Sequence, residues 1–397
     1  MVKFRVNRTV SVLCLIIFVN TLSIGAFPVL LPEIGRSNEI DYLALGTVAG
    51  AFGLARVFSD IPAGLFITHH LRLALVLGSL AVTVGVLCLG INGSYGLLVA
   101  GRALGGIGHA LSMLGAMTAI IRHAPPGSRA FSLNAFEMSA MLGVLCGMIA
   151  AGFLPAEWPW NATLLVACAP QALALILLPL VLSAIPADAI AGTPRPLFSR
   201  GMAADRVEGA RSRVSLVTIL PFAVGCVIAI AWSSMGQFIL PIRASRDFEF
   251  GRESVALLLS IPQIFDVLLL LPIGLLADRT SPARVLGVVL AIMAAGVAAI
   301  AFGSVHVVIV GCALLGIGLA GWMLPVSLIN QDAPARTVSW HTALYRTAVD
   351  TGVFLGPVLS GLFAQQRVLW MLGAGTSISL LILALLLLRL PGSRVDR

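Results

Sequence analysis

Read for polarity alone, the chain is a succession of long apolar runs separated by short breaks rich in arginine, proline and glycine. Twelve runs can be counted, at about 10–34, 42–67, 73–92, 95–120, 129–153, 161–185, 214–240, 254–276, 283–303, 305–330, 341–364 and 366–390. Each is long enough for a helix, rising ~1.5 Å per residue, to cross ~30 Å of hydrocarbon. Backbone polar groups find no water at that depth, so helices are the element the pattern predicts. The first run is too long for the core of a signal peptide and has no small-x-small cleavage site, so it reads as a span. The longest polar stretch, residues 186–213, falls between the sixth and seventh runs. The expectation is an all-α membrane protein: a six-helix bundle over 1–185, a linker over 186–213, and a second six-helix bundle over 214–397.

The two halves repeat each other. Gly101-Arg102-Ala103-Leu104-Gly105-Gly106-Ile107-Gly108-His109-Ala110 returns 210 positions later as Gly311-Cys312-Ala313-Leu314-Leu315-Gly316-Ile317-Gly318-Leu319-Ala320, identical at seven of ten places. The same offset lays Pro62-x-Gly64-Leu65 on Pro272-x-Gly274-Leu275, and an offset of 211 lays Ser23-x-Gly25-x-Phe27 on Ser234-x-Gly236-x-Phe238. An offset near half the chain, held from early to late positions, means a duplicated unit, so the bundles are expected to be pseudo-symmetric. Small-xxx-small spacings such as Gly101/Gly105, Gly143/Gly147 and Gly352/Gly356 let helix backbones approach closely in lipid.

Composition agrees: 59% of residues are hydrophobic and 11% charged, against about a quarter charged in soluble domains. The net charge of +8 invites a nucleic-acid reading, but its distribution is a topology signal. Seventeen basic residues lie in the termini, the linker and alternate loops: Lys3, Arg5, Arg8, Arg72, Arg122, Arg129, the linker arginines 195, 200, 206, 211 and 213, Arg279, Arg284, Arg336, Arg389, Arg394 and Arg397. The opposite loops carry five, namely Arg36, Arg243, Arg246, Arg252 and Arg367. The positive-inside rule then puts both termini and the linker in the cytoplasm of a multi-pass inner-membrane protein. Six cysteines lie in apolar runs without CxxC spacing and read as reduced small hydrophobes. No cofactor is implied. Lys3 is the only lysine, so a phosphate-binding loop of the GxxxxGK type is absent.

Twelve spans in two repeats with a basic linker resemble the major facilitator superfamily of secondary transporters. Its loop motif G-x-L-A-D-R-x-G-R is matched in the second half by Gly274-Leu275-Leu276-Ala277-Asp278-Arg279, with Arg284 beyond. In the first half only Gly64 and Arg72 persist, with Thr68 where the pattern has Asp. The fourth-span pattern R-x-x-Q-G of proton-driven drug and metabolite antiporters is present from Arg102 to Gly106, with Gly105 in place of Gln. The fifth-span pattern G-x-x-x-G-P is partial at Gly143/Gly147 and complete at Gly352-Val353-Phe354-Leu355-Gly356-Pro357. The resemblance implies the superfamily fold, a monomeric working unit in the lipid bilayer, and transport of a small organic solute by alternating access.

Seven ionisable residues fall inside the spans: Arg56, Asp60, Arg102, Glu137, Asp266, Arg346 and Asp350. Charge at a helix centre costs at least ~2.5–3.5 kcal/mol, so each is a functional hypothesis in need of a partner. Asp60 and Arg346 lie at one depth, Arg56 and Asp350 at another. The resemblance sets the second and eleventh spans face to face, which gives an interdomain gate of Asp60–Arg346 and Arg56–Asp350. Pairing within each helix is the alternative, since Arg56/Asp60 and Arg346/Asp350 are both i,i+4. On the pseudo-symmetric interface, Glu137 and Asp266 meet no base. Two such carboxylates in low dielectric cannot both stay ionised, so they are proton-coupling candidates, with Arg102 and His109 beside them. The alternative there is a Glu137–Arg102 salt bridge. His109, Met113 and Met117 share a ridge that could suit Cu(I). Asn20, Ser23, Trp232, Ser234 and Gln237 are candidates for the substrate cavity, with Phe18, Phe27, Phe136, Phe238 and Trp322 as apolar lining.

The leading function is proton-coupled export of a drug or metabolite, with the proton as coupling ion. The alternatives are an organic-anion/proton symporter using the intramembrane arginines, a Cu(I) or other metal importer, and a membrane enzyme or assembly factor. The chain is not expected to be an enzyme, for it has no clustered acids of DxxxD type, nor to bind nucleic acid.

Overall fold

The computed structural model describes residues 8–91, 94–123, 129–185, 216–330 and 335–389. The linker 186–213 with its arginines, and Lys3, Arg5, Arg394 and Arg397, lie outside the described residues. The described chain is almost wholly helical, and eleven helices are long and apolar enough to span a membrane. One of the eleven, Tyr42–Gly90, has 49 residues, about 73 Å and twice what a bilayer needs. His70 breaks it, with φ −132° and ψ 49°. The second and third spans therefore meet end to end, and the eleven apolar helices among the described residues hold twelve stretches of spanning length. The polar segment read as a loop between 67 and 73 is instead helical on both sides of that one residue. Thr68 supports it by donating to the Gly64 carbonyl at 2.8 Å.

Other spans are interrupted for identifiable reasons. The first divides at Thr21 into Arg8–Asn20 and Leu22–Ser37. The Thr21 hydroxyl lies 2.9–3.0 Å from the carbonyls of Ile17, Phe18 and Ala140, tying the break to the fifth span. The seventh span widens into a π turn over Met235–Ile239. Pro241 follows at once; it has no N–H to give the Gln237 carbonyl and its ring crowds that oxygen. The tenth span, Val305–Leu319, opens into a turn and restarts as Leu324–Asn330, where Pro325 likewise cannot bond back to Gly321. The sixth has a 3₁₀ step at Ala169–Gln171, around Pro170.

The duplicated glycine motif has a packing explanation. A Cβ at Gly106 would overlap the Phe52 carbonyl of the second span, and one at Gly316 the Pro262 carbonyl of the eighth. Gly108 and Gly318 make the matching close approaches, to Gly78 in the third span and Met293 in the ninth. Each half thus seats its fourth helix against two neighbours at backbone contact, as helices without a hydrophobic driving force must. All six cysteines are unbonded.

The halves join along the second and eleventh spans and along the fifth and eighth. The loops bearing the five arginines define an arginine-poor face, and toward it this junction is backbone-close. Gly46 lies on Pro357, Gly53 on Phe354, and Gly152 on Ala256. One apolar core runs there from Phe27, Leu30 and Ile34 through Phe238 and Leu240 and on through the second half. Toward the arginine-rich face the first half keeps a separate core of its own, including Leu13, Ile17, Ile67, Leu75 and Phe136.

Gly106→Ala is expected to destabilise the purified protein by about 1–3 kcal/mol, because the second span has no room to yield. Gly64→Ala, with nothing within 4 Å of the new methyl, should be neutral or gain up to about 1 kcal/mol. Thermal unfolding in detergent compares them; equal midpoints would contradict this account of the repeat.

Candidate functional site

Four of the charges inside the spans, two buried aspartates and two half-buried arginines, form two bridges between the halves. Arg346 Nε donates to Asp60 Oδ2 at 3.2 Å, and Arg56 Nη2 stands 2.6 Å from Asp350 Oδ1. The second contact is close but poorly directed: neither Asp350 oxygen meets the geometry of a hydrogen bond, and Arg56 Nε is buried with no acceptor. Of the two pairings open to the sequence, within each helix or between the halves, the structure has the one between halves. Asp350 is completely buried, and removing one member of such a pair leaves an uncompensated charge in low dielectric.

Arg102 is different. Its side chain is buried, and among the described residues no carboxylate lies within ion-pair distance. Its guanidinium carbon sits 4.0 Å from the Phe27 ring centre and 5.0 Å from that of Phe52. Nη2 reaches the Ala49 carbonyl at 3.4 Å, and Nε has no partner. The Glu137–Arg102 salt bridge is not formed. Two aromatic faces are worth about 0.5–2 kcal/mol to a cation, less than the several kcal/mol that burial takes. Phe52 also packs on His109, ring centres 5.6 Å apart, and lies 5.7 Å from the Arg56 guanidinium. Phe52 is a residue that sequence reasoning missed, although its place one turn before Arg56 was a usable signal. His109 Nδ1 is buried without a partner.

Glu137 and Asp266 lie within electrostatic reach of each other, on the fifth and eighth spans. Glu137 is half-buried and Asp266 buried. Asp266 Oδ1 has no hydrogen bond, and among the described residues neither carboxyl forms an ion pair. Arg346 and Arg56 are the cations nearest Glu137 in effect. Among the described residues no group of three His, Cys, Asp or Glu side chains could hold a metal ion.

The proposed cavity residues divide. Asn20 donates to Ser79 Oγ at 3.1 Å and reaches Ser112 Oγ at 3.4 Å, so its amide is committed within the first half, though Oδ1 remains unpartnered. Ser234 is fully buried and bonds back to Ile230 at 2.6 Å. Ser23 is buried at the break of the first span, and Gln237 is buried in the π turn. Trp232 meets Trp322 edge-on at 6.3 Å, and Tyr345 donates to the Trp322 carbonyl at 2.9 Å. The breaks of the seventh and tenth spans are thereby brought to one aromatic cluster. In the loop motif, Asp278, Arg279 and Arg284 are exposed and form no ion pair among the described residues. Gly274 and Gly64 face open space, and Arg72 ties to the Leu182 carbonyl of the sixth span.

One lock went unforeseen. At the arginine-poor face Arg252 grips Glu33 with both arms, Nε to Oε1 at 2.9 Å and Nη2 to Oε2 at 2.6 Å. It also donates to Thr163 Oγ1 at 2.7 Å and to the carbonyls of Trp158 and Pro155 at 2.9 and 3.2 Å. The eighth span is thus bound to the first, to the sixth and to the loop between the fifth and sixth. Arg36 adds a 3.3 Å contact to Ser245. Two surface hollows of about 440 and 430 Å³ flank this lock, sharing Glu33 and Arg36.

Arg252→Met is expected to loosen that face. A single cysteine at Val29, in a background without the six native ones, should then react several-fold faster with a membrane-impermeant maleimide. Unchanged labelling would mean that the apolar core alone holds the face shut.

The sequence profile described as Major Facilitator Superfamily matches the chain twice, over residues 13–239 and 222–397. The 4-hydroxybenzoate transporter PcaK of Pseudomonas putida is 25% identical over 393 residues, covering 90% of this chain and 87% of that protein. Among solved structures, a mutant form of the nucleoside transporter NupG superposes with a TM-score of 0.77 at 13% identity, covering 96% of this chain and all of that one. A POT family transporter in complex with 5-aminolevulinic acid gives 0.75 at 18% identity, covering 96% of each. These two share the fold.

Proposed function

The chain belongs to the major facilitator superfamily of membrane transporters, and we propose that it carries a small organic anion, an aromatic carboxylate by preference, together with a proton. The observation that carries this reading is Arg102: a buried guanidinium with no carboxylate among the described residues, held between two phenylalanine rings. A substrate carboxylate would satisfy that charge by a two-point, charge-assisted contact stronger than an aromatic face, while the substrate's own ring would exchange places with Phe27 or Phe52. The similarity to a 4-hydroxybenzoate transporter supports the same chemistry.

The gate residues fit alternating access. Asp60, Arg56, Arg346 and Asp350 close the interface from the midplane toward the arginine-rich face, which the positive-inside rule assigns to the cytoplasm, with the chain in the inner membrane as a monomer. Glu33–Arg252 closes the outer side. Both sets are made in this structure, so a state open to either side has to break one of them. Glu137 and Asp266 repel each other across the halves when both are ionised, and a proton taken up there lets the halves close over a bound anion. A second reading, proton-coupled export of a neutral or cationic solute, draws on that same pair, because acids without a base offer a cation a site.

In proteoliposomes, uptake of radiolabelled 4-hydroxybenzoate and benzoate is expected to follow an inward proton gradient, with external pH rising as solute enters. The methyl esters should not compete. Arg102→Ala should lower uptake about 100-fold, a loss of about 2.7 kcal/mol, with Arg102→Lys in between. External acidification on adding solute would favour export by antiport, and unimpaired uptake by Arg102→Ala would sink the anion reading.

A further inference from the structure

The interdomain bridges leave oxygen atoms unsatisfied in a way that ion pairing does not explain. Asp350 is fully buried and neither oxygen has a hydrogen-bond donor; Asp60 gives Oδ2 to Arg346, but its buried Oδ1 has none. The two bridges set Asp60 and Asp350 in one cluster, each aspartate one helical turn from the arginine that bridges the other. Ionised carboxylates are acceptors only, so carboxyl oxygens left without a donor can be joined only by a proton between them. We propose that Asp60 and Asp350 share one exchangeable proton across the interface between the halves, and that this proton sets the strength of the interdomain gate.

The surrounding charges favour the same count. From the second and eleventh spans Arg56 and Arg346 face the pair; from the fourth comes His109, in electrostatic contact with Arg56, Arg346 and Asp60; from the fifth comes Glu137, in contact with both arginines, with Asp266 of the eighth span behind it. Arg102 of the fourth span shares the Phe52 ring with Arg56 and His109. Three guanidinium groups therefore face four carboxyl groups, and one bound proton balances them with His109 neutral. In a low-dielectric interior an unbalanced carboxylate takes a proton rather than keep its charge. The proton comes from water and returns to it, with no other bond made or broken. When it binds, one arginine loses half of its counter-charge and the bridge between halves weakens; when it leaves, each aspartate is free to pair fully with its own arginine.

The inference deepens the carrier reading and rests on it for its purpose, but its test needs no solute. The full chain is placed in lipid nanodiscs, and infrared difference spectra between acidic and alkaline buffer are followed in the C=O stretch of protonated carboxyl groups. Wild type is expected to show such a band, shifted by deuterium exchange. Asp350→Glu and Asp60→Glu keep the charge balance and should each displace one and the same component of the band; any component that Glu137→Asp or Asp266→Glu displaces belongs to that other pair. Asp350→Asn should abolish the component that the Asp60 and Asp350 variants move. Absence of the band in wild type, or a band displaced only by the Glu137 or Asp266 variants, overturns the proposal. A variant that fails to fold shows itself in size-exclusion chromatography, and the remaining conservative variant then decides. Should no solute be found while the Asp60 and Asp350 variants move the band, the proton site stands and only the substrate assignment fails.

Discussion

A charge buried in hydrocarbon has to be met by an opposite charge, by an aromatic face or by a proton, and this molecule places all three solutions along the seam between its halves. Arg56 and Arg346 are met by aspartates from the opposite half. Arg102 is met by Phe27 and Phe52. Glu137 and Asp266 meet each other. The first solution holds the halves together; on the proposed reading the second leaves a cation for a substrate to claim and the third answers to proton supply. A carrier needs these three properties, and they come from one constraint applied at different points of a duplicated scaffold.

That scaffold is rigid where the repeat is strictest. The glycines at 106 and 108, and at 316 and 318, bring the fourth and tenth helices into backbone contact with two neighbours each, so each half can move as a body. The irregular turns fall elsewhere: at Thr21, at Ala169–Gln171, at Met235–Ile239 and after Leu319. Three of the four sit beside a proline, which has no N–H to give, and irregular backbone at membrane depth is tolerated only where protein or a cavity covers it. The Trp232–Trp322 contact ties the seventh and tenth spans together beside their irregular turns.

Much of this was legible in the chain because hydrocarbon makes the code simple. Apolar length gave the spans, and the 210-residue offset gave the two halves. Depth along the second and eleventh helices, with the facing of those spans that the family resemblance implied, suggested which arginine would lie opposite which aspartate. What escaped were features set by chain direction at helix ends. Glu33 and Arg252 sit at the edges of their spans, where a charge costs little and so carries no signal; only the fold shows that Arg252 has five acceptors around it. His70 escaped because a polar tripeptide between two apolar runs reads as a loop, whereas a single non-helical residue suffices to turn the chain. Arg102 was found as a charge, but its lack of a partner among the described residues is a statement about space that spacing cannot make.

The two sides of the seam are not equivalent. Toward the arginine-poor face the halves share an apolar core, glycine-mediated backbone contacts and a bidentate pair with three further hydrogen bonds. From the midplane toward the other face, two ion pairs, one of them imperfectly directed, join the halves beside a smaller apolar cluster of Ile24 and Phe52 with Ala229, Tyr345, Val349 and Val353, and beside a core that belongs to the first half alone. Apolar contact responds little to solution conditions, whereas an ion pair loses most of its attraction when one partner is neutralised. Opening toward the arginine-rich face thus parts less apolar surface and depends more on a change of charge than opening the other way. A proton is the smallest ligand able to make the first change, and a substrate bridging the halves is the kind of ligand needed for the second. On the proposed reading, proton and solute act on different seals, which is the arrangement that coupling between them demands.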